Sequence, residues 1–357
     1  EMTSSLVGSE MCIRDRLVTM LRIFWKVIRI FRKFFIMGMA AMGLALTACN
    51  NDETVEVAKG NAISFNSFVN KSTRGAADDV TLKNLGSFEL YGWRGEDVLF
   101  NKQVVNVAEN GTSTYSPLKY WEAGQTYNFE AIAPKAGEKG VEFVAAKTGG
   151  TITFTNNATT DLLYVKAEEK TMGAEIAAAP AVVELNFAHQ LARVKFTFKN
   201  TFPNTAAAKL TIKDVKITNA YEKGSITPAA ANAKWTVDPT NKNLVVAFAN
   251  NTAMAPIDLV AGTGSGETDH MYLIPTAENT EYTVTFTVTL DQGGVTTDYN
   301  HTVRFNTEQK QGLSYNYIAE INQNNINPDP NVQLFPIEFK TTVSDWANFN
   351  DEPKIMQ

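Results

Sequence analysis

The stretch "EYTVTFTVTLD", residues 281–291, decides the fold class. Tyr282, Val284, Phe286, Val288 and Leu290 occupy every second position, with Thr283, Thr285, Thr287 and Thr289 between them. A period of two is that of a strand with one buried and one wet face. Threonine suits the wet face, because its branched side chain fits the pleat and its hydroxyl stays solvated.

The same device recurs outward along the chain. "ARVKFTFKN" (192–200) sets Val194, Phe196 and Phe198 against Lys195, Thr197 and Lys199. "NAISFNSFVN" (61–70) places Ile63, Phe65 and Val69 on one face. "KLTIKDVKIT" (209–218) alternates through Leu210 and Ile212, then changes phase to Val215 and Ile217. One extra residue near Asp214, a β-bulge, gives that change. Turn-forming residues flank short strands in "TGGTITFTNN" (148–157) and "YLIPTAENTEY" (272–282). Helical signals are few, and Pro180 interrupts the alanine-rich "GAEIAAAPAVVE" (173–184). The expectation is an all-β chain of antiparallel sandwiches.

Two breaks divide it. "EEKTMGAEIAAAPA" (168–181) lacks strand alternation and reads as a linker between sandwiches at 61–170 and 180–357. "NQNNINPDPNVQLFP" (322–336) has three prolines and repeated asparagines, which prevent continuous strand. Beyond it lies one detached strand, "PIEFKTTVSDW", with residues 337–346 as the terminal segment.

Composition narrows the function. The chain has 357 residues, 44% hydrophobic and 20% charged, as in globular proteins with room for two cores. Its two cysteines, Cys12 and Cys49, leave the body after position 49 without an internal disulfide. His189, His270 and His301 are too widely spaced for a metal site. Residues 1–48 hold 7 of the 32 Lys+Arg and 3 of the 38 Asp+Glu, leaving 25 basic and 35 acidic residues, a net of −10. An acidic body disfavours nucleic acid as a partner.

Chemical motifs are absent. There is no G-x-S-x-G, H-E-x-x-H or C-x-x-C. The glycines of "AGTGSGE" (261–267) lack dinucleotide-loop spacing and read as a hairpin loop. Asp78, Asp79, Asp214, Asp258 and Asp269 are scattered, and His270 beside Asp269 reads as a surface pair. No enzyme activity, metal or cofactor is expected. Tyr115, Tyr120, Trp121, Tyr127 and Phe129 crowd into one stretch. Exposed, such rings stack on sugars; the alternation of Tyr127, Phe129 and Ala131 favours burial in a core, and Trp93 and Trp346 take the same reading.

The front of the chain is a secretory signal over residues 20–48. Arg22, Lys26, Arg29, Arg32 and Lys33 precede fifteen uncharged residues, 34–48. That run is shorter than the roughly 20 residues of a membrane-spanning helix. Leu46-Thr47-Ala48-Cys49 resembles the bacterial lipobox, which implies acylation of the Cys49 thiol and anchorage in outer-membrane lipid. Residues 1–19 carry acids and a cysteine where a basic start belongs; they are read as non-native upstream translation, with Met20 as the start. Residues 49–60 read as a tether.

Several stretches in order resemble the fimbrillin (Mfa-like) family, type V pilus subunits of Bacteroides-type bacteria. They are "ISFNSFVNKSTR", "LGSFELYGW", "TYSPLKYWEAGQTYNFEAIAP", "DLLYVKAEEKT", "VVELNFAHQLARVKFTFKN", "LTIKDVKITN", "GLSYNYIAEI" and the terminal "VSDW". The resemblance covers about residues 61–346; the linker at 322–336 is longer than usual, and eleven residues follow Trp346. It implies two transthyretin-like β-sandwiches and a non-enzymatic pilus subunit exported as a lipoprotein. It further implies cleavage by a trypsin-like maturation protease after an arginine behind the first strand, and polymerisation by strand exchange with other fimbrillin subunits. Arg74, in "KSTRGAADD", matches the cleavage position, with Lys71 a near alternative. The terminal segment, through Ile337, Phe339 and Val343, is the candidate donor strand; its other reading is closure of its own sandwich with Trp346 capping the core. The expected location is the outer membrane, then the fimbrium, with a host or bacterial surface receptor as a further candidate partner. The alternative function is that of a lipid-anchored glycan-binding protein or tip adhesin.

Overall fold

The computed structural model of the protein describes residues 61–69, 84–177, 182–248, 257–262, 264–331, 333 and 335–346. In its first part run β1 (Phe65–Val69), β2 (Ser87–Arg94), β3 (Asp97–Val107), β4 (Ser113–Thr114), β5 (Thr126–Ala133), β6 (Val141–Val144), β7 (Thr151–Thr155), β8 (Leu163–Lys166), β9 (Lys170–Thr171) and β10 (Val183–His189). There follow β11 (Ala192–Asn200), β12 (Ala208–Ala220), β13 (Lys223–Ile226), β14 (Thr236–Val237), β15 (Leu244–Ala247) and β16 (Ile257–Leu259). The last are β17 (Ser265–Glu267), β18 (Met271–Leu273), β19 (Thr276–Gln292), β20 (Val295–Gln309), β21 (Leu313–Ile321) and β22 (Phe339–Asp345). The fold is all-β, as the alternation requires.

Four sheets result. The first has the order β1-β10-β8-β5-β2-β3-β4, with β9 beside β5. It curls around its own core, with Phe88, Phe100, Phe129 and Phe187 fully buried inside. In the C-terminal half two sheets face each other: β17-β11-β21-β22 with β18, and β15-β12-β19-β20 with β16. Phe196, Phe198, Phe286 and Tyr317 lie between them. The threonine-rich stretch of 281–291 forms 11 of the 17 residues of β19, whose Tyr282, Val284, Phe286 and Val288 are buried. The expected bulge is present: the β12–β19 register shifts between Lys213 and Lys216, where Asp214 has φ +54°. Two pairings, β1 with β10 and β11 with β21, are parallel within otherwise antiparallel sheets. Their partners lie far apart in sequence, so no hairpin turn dictates their direction.

The division between the halves differs from the sequence reading. That reading closed the first sandwich at 170 and opened the second at 180. Strand β10, residues 183–189, instead completes the first sheet between β1 and β8. The chain crosses over at Gln190 and Leu191. The fourth sheet, β14-β13-β7-β6, joins a hairpin from each half. A third core fills the junction, holding Tyr91, Ile132, Phe154, Leu191, Ile274 and Trp346. The sequence hid this, because nothing in it states that β9 pairs with β5 and that β10 pairs with β1 and β8.

The asparagine-rich stretch at 322–326 is folded rather than a bare linker. Asn325 Nδ2 donates to Glu320 O at 2.9 Å, Asn322 N donates to Asn325 Oδ1 at 2.9 Å, and Ile326 is buried in the C-terminal core. The glycine-rich 261–267 is not only a loop, since β17 pairs with β11. Gly266 is required there: a Cβ would lie 2.2 Å from Ile257 Cγ2.

Candidate assembly site

The first strand is held on both edges. One edge pairs in parallel with β10, from Phe65 opposite Val183 to Val69 opposite Phe187. On the other, Ile63 N donates to Lys119 O at 2.8 Å and Ser67 N to Gly111 O at 3.0 Å. Strand β1 therefore closes the curled sheet like a stave. Its inward face is Ile63, Phe65, Ser67 and Val69, all buried. The Phe65 ring stands edge-on to Phe129, Tyr115 and Phe100 at 5.3, 5.7 and 5.8 Å. Gly92 makes room for this cage, because a Cβ there would meet both Phe100 and Phe129 at 2.8 Å. The Ser67 hydroxyl pairs with that of Ser113 at 2.9 Å, and the Tyr115 hydroxyl donates to Ile63 O at 2.8 Å. The buried hydroxyl of Ser67 and the hydroxyl of Tyr115 thus both have partners.

The last strand, β22, lies at the edge of its sheet and pairs antiparallel with β21, from Phe339 opposite Ala319 to Asp345 opposite Leu313. Ile337 is buried, Phe339 and Val343 are half-buried against the same core, and Glu338 and Lys340 face outward. Phe339 contacts Phe196 and Phe305 at 5.2 and 5.3 Å. Trp346, just beyond the strand, is buried in the junction core. The terminal segment thus closes its own sheet in this structure.

The inward faces of the two strands match position by position. Ile63, Phe65, Ser67 and Val69 correspond to Ile337, Phe339, Thr341 and Val343, each set at every second residue. The sequence reading places Thr341 on this face but not Ser67, although the shared hydroxyl at the third position was available to find it. Of the other sequence-predicted positions, Cys49, Lys71 and Arg74 lie outside the described residues. Trp121 is 3% exposed and edge-on to Tyr127 at 4.6 Å, so it offers no face to a sugar. Asp269 and His270 are half-buried rather than a surface pair, and burial with Arg193 and Lys195 nearby draws the His270 pKa down to about 3. Among the described residues no group of His, Cys, Asp and Glu could hold a metal ion.

The sequence profile of the fimbrillin-like family matches residues 73–346. The chain belongs to the fimbrillin-like family. The match ends at Trp346, where the junction core closes. A fimbrial protein of Bacteroides vulgatus has the same fold, with a TM-score of 0.58 and 14% identity over 80% of this chain and 99% of that one. Two proteins assigned to cell adhesion are also similar. That of Bacteroides uniformis has a TM-score of 0.47 and 15% identity, over 80% of this chain and 98% of its own. That of Bacteroides ovatus has a TM-score of 0.48 and 13% identity, over 80% and 97%. No curated protein sequence matches this fimbrillin-like chain.

Proposed function

We propose that this fimbrillin-like chain is a structural subunit of a cell-surface pilus that supports adhesion. It travels to the outer membrane as a lipoprotein acylated on Cys49, is cut by a maturation protease after Arg74, and polymerises by strand exchange. Cleavage behind β1 would free that strand, and the terminal segment of another copy would take its place. The work of the chain on this reading is assembly rather than catalysis.

The observation that carries the reading is the matched pair of inward faces. A groove that has lost Ile63, Phe65, Ser67 and Val69 presents room for two branched aliphatics, one phenyl ring and one hydroxyl. The segment 337–343 supplies that set in the same order and spacing. Each apolar side chain buried in the groove contributes about 1.5–3 kcal/mol, offset by the burial that Ile337, Phe339 and Val343 give up on leaving their own sheet. The incoming backbone would satisfy the donors and acceptors that β1 now satisfies on β10 and at 111–119.

The test is the N-terminal sequence of protein recovered from surface filaments, with Arg74→Ala beside wild type. Filament protein beginning at Gly75, and a variant that remains full-length and unpolymerised, are expected. Surface protein that still begins at Cys49, or identical migration of the two, would overturn cleavage-triggered assembly. A Phe339→Ala variant reads the donor strand itself: weakened polymer ladders are expected, with thermal unfolding reporting how much of the loss comes from the monomer's own core.

A further inference from the structure

A second site lies where the β20–β21 turn faces the loop before β14, and no residue of β1 or β22 lines it. Strand β19 bulges there. Thr276 pairs with Gln309 and Thr280 with Thr307, so residues 277–279 oppose the single residue Glu308. Asn279 takes φ +59°, and the Thr280 hydroxyl donates to Ala277 O at 2.8 Å, fixing the bulge. A bulge of this kind re-aims side chains and bends its strand away from the partner. Here it presents the exposed Glu278 beside the β20–β21 turn. The loop before β14 supplies the opposite wall with Lys234 and Trp235.

Together these elements enclose a cleft of about 720 Å³, within the range of small-ligand sites. Its walls are built rather than incidental. Trp235 is half-buried, and its Nε1 donates to Gln190 O at 2.8 Å, which sets the plane of the indole. Gly224 lets that ring lie close, since a Cβ there would come 3.1 Å from Trp235 Cε3. The buried Gln309 accepts from the Tyr282 hydroxyl at 3.1 Å and donates to that of Tyr317 at 3.0 Å, which stiffens the floor. The charged groups balance: Lys234 and Lys310 stand with Glu278 and Glu308, and Lys310 pairs with Glu308 at 3.1 Å.

We infer that this cleft binds a neutral saccharide, with one sugar face on Trp235 and hydroxyls on Glu278, Lys234 and Lys310. An indole offers a flat apolar surface next to wet polar groups, and a pyranose ring has an apolar face with hydroxyls at its rim. Hydroxyls both donate and accept, so they can meet ammonium and carboxylate groups in one site. A strongly charged ligand of either sign would face a like charge. The inference deepens the adhesive part of the proposed function by naming a ligand class. It is read on purified monomer, so it stands or falls separately from polymerisation.

The test uses the purified full chain on an array of neutral, sialylated and sulfated glycans, followed by calorimetry with the best neutral ligand. Trp235→Ala should weaken binding about tenfold or more, Trp235→Phe should retain most of it, and Glu278→Gln should lose about threefold or more. Thermal unfolding reports whether each variant is folded. If Trp235→Ala does not fold, Glu278→Gln on the exposed bulge decides. No binding to any neutral glycan, binding to charged glycans alone, or affinity unchanged in the folded variants would each overturn the inference.

Discussion

The indole of Trp346 lies flat on the imidazole of His189, with ring centroids 4.0 Å apart and planes 7° from parallel. His189 ends β10, the last strand of the first sheet, and its Nδ1 meets the Asp161 carboxylate at 2.9 Å. On the C-terminal side Tyr272 stacks at 5.5 Å and the Arg193 guanidinium lies 5.3 Å from the indole centroid. The end of the last strand is thereby wedged between the halves. Trp346→Ala should cost about 3–5 kcal/mol, the range for truncating a large buried aromatic. Trp346→Phe should cost less, because Nε1 has no hydrogen-bond partner to lose. Urea unfolding of both variants checks the order.

The cage around Phe65 gives a second expectation. Phe65→Ala should destabilise by about 3–5 kcal/mol, since the ring is buried among Phe100, Tyr115 and Phe129. Gly92→Ala should cost about 1–3 kcal/mol by overpacking the same cage from the opposite side. Combined, the two changes should cost less than their sum, because the missing ring leaves space for the methyl group. A double-mutant cycle of denaturation midpoints measures this.

Acid should loosen the C-terminal sandwich through His301. The ring is buried against Phe286 at 5.1 Å, and burial draws its pKa down to about 4. The unfolded chain takes up the proton near the ordinary histidine value of about 6.5. Stability is therefore full above that value and falls as the pH drops towards 4, by on the order of 1–3 kcal/mol. Glu130 acts in the opposite sense. Burial raises its pKa, so its contribution is lost as the pH rises through the folded value. The difference between wild type and His301→Gln isolates the histidine: unfolding midpoints followed from pH 7 to about pH 4 should fall more steeply in wild type.

Cys49→Ser should leave an unprocessed precursor that incorporates no labelled palmitate. Equal labelling of wild type and variant would remove Cys49 as the acylation site. The measurement is independent of everything downstream of residue 60.

Much of the architecture was legible because strand periodicity is local. The alternation at 282–290, the phase change at Asp214 and the inward residues of both terminal strands needed only neighbours in sequence. What escaped was set by distant partners. Nothing in "VVELNFAH" states that β10 will lie parallel to β1, more than a hundred residues earlier. The three-residue bulge at 277–279 was equally hidden, since an Ala-Glu-Asn run carries no period. Trp235 drew no notice because its loop has no pattern, and its value comes from what β19 and β20 bring opposite it.

The sheet shared by β6, β7, β13 and β14 bears on how such a chain can be inherited. Thr155 lies opposite Lys223 and Ile152 opposite Ile226, so each half finishes a sheet with backbone from the other. A crossover joining the front of one gene to the back of another would have to bring hairpins of compatible register. A mismatch leaves raw strand edges open to solvent and to neighbouring molecules. An exchange that moves residues 141–237 as one block keeps all four strands in register.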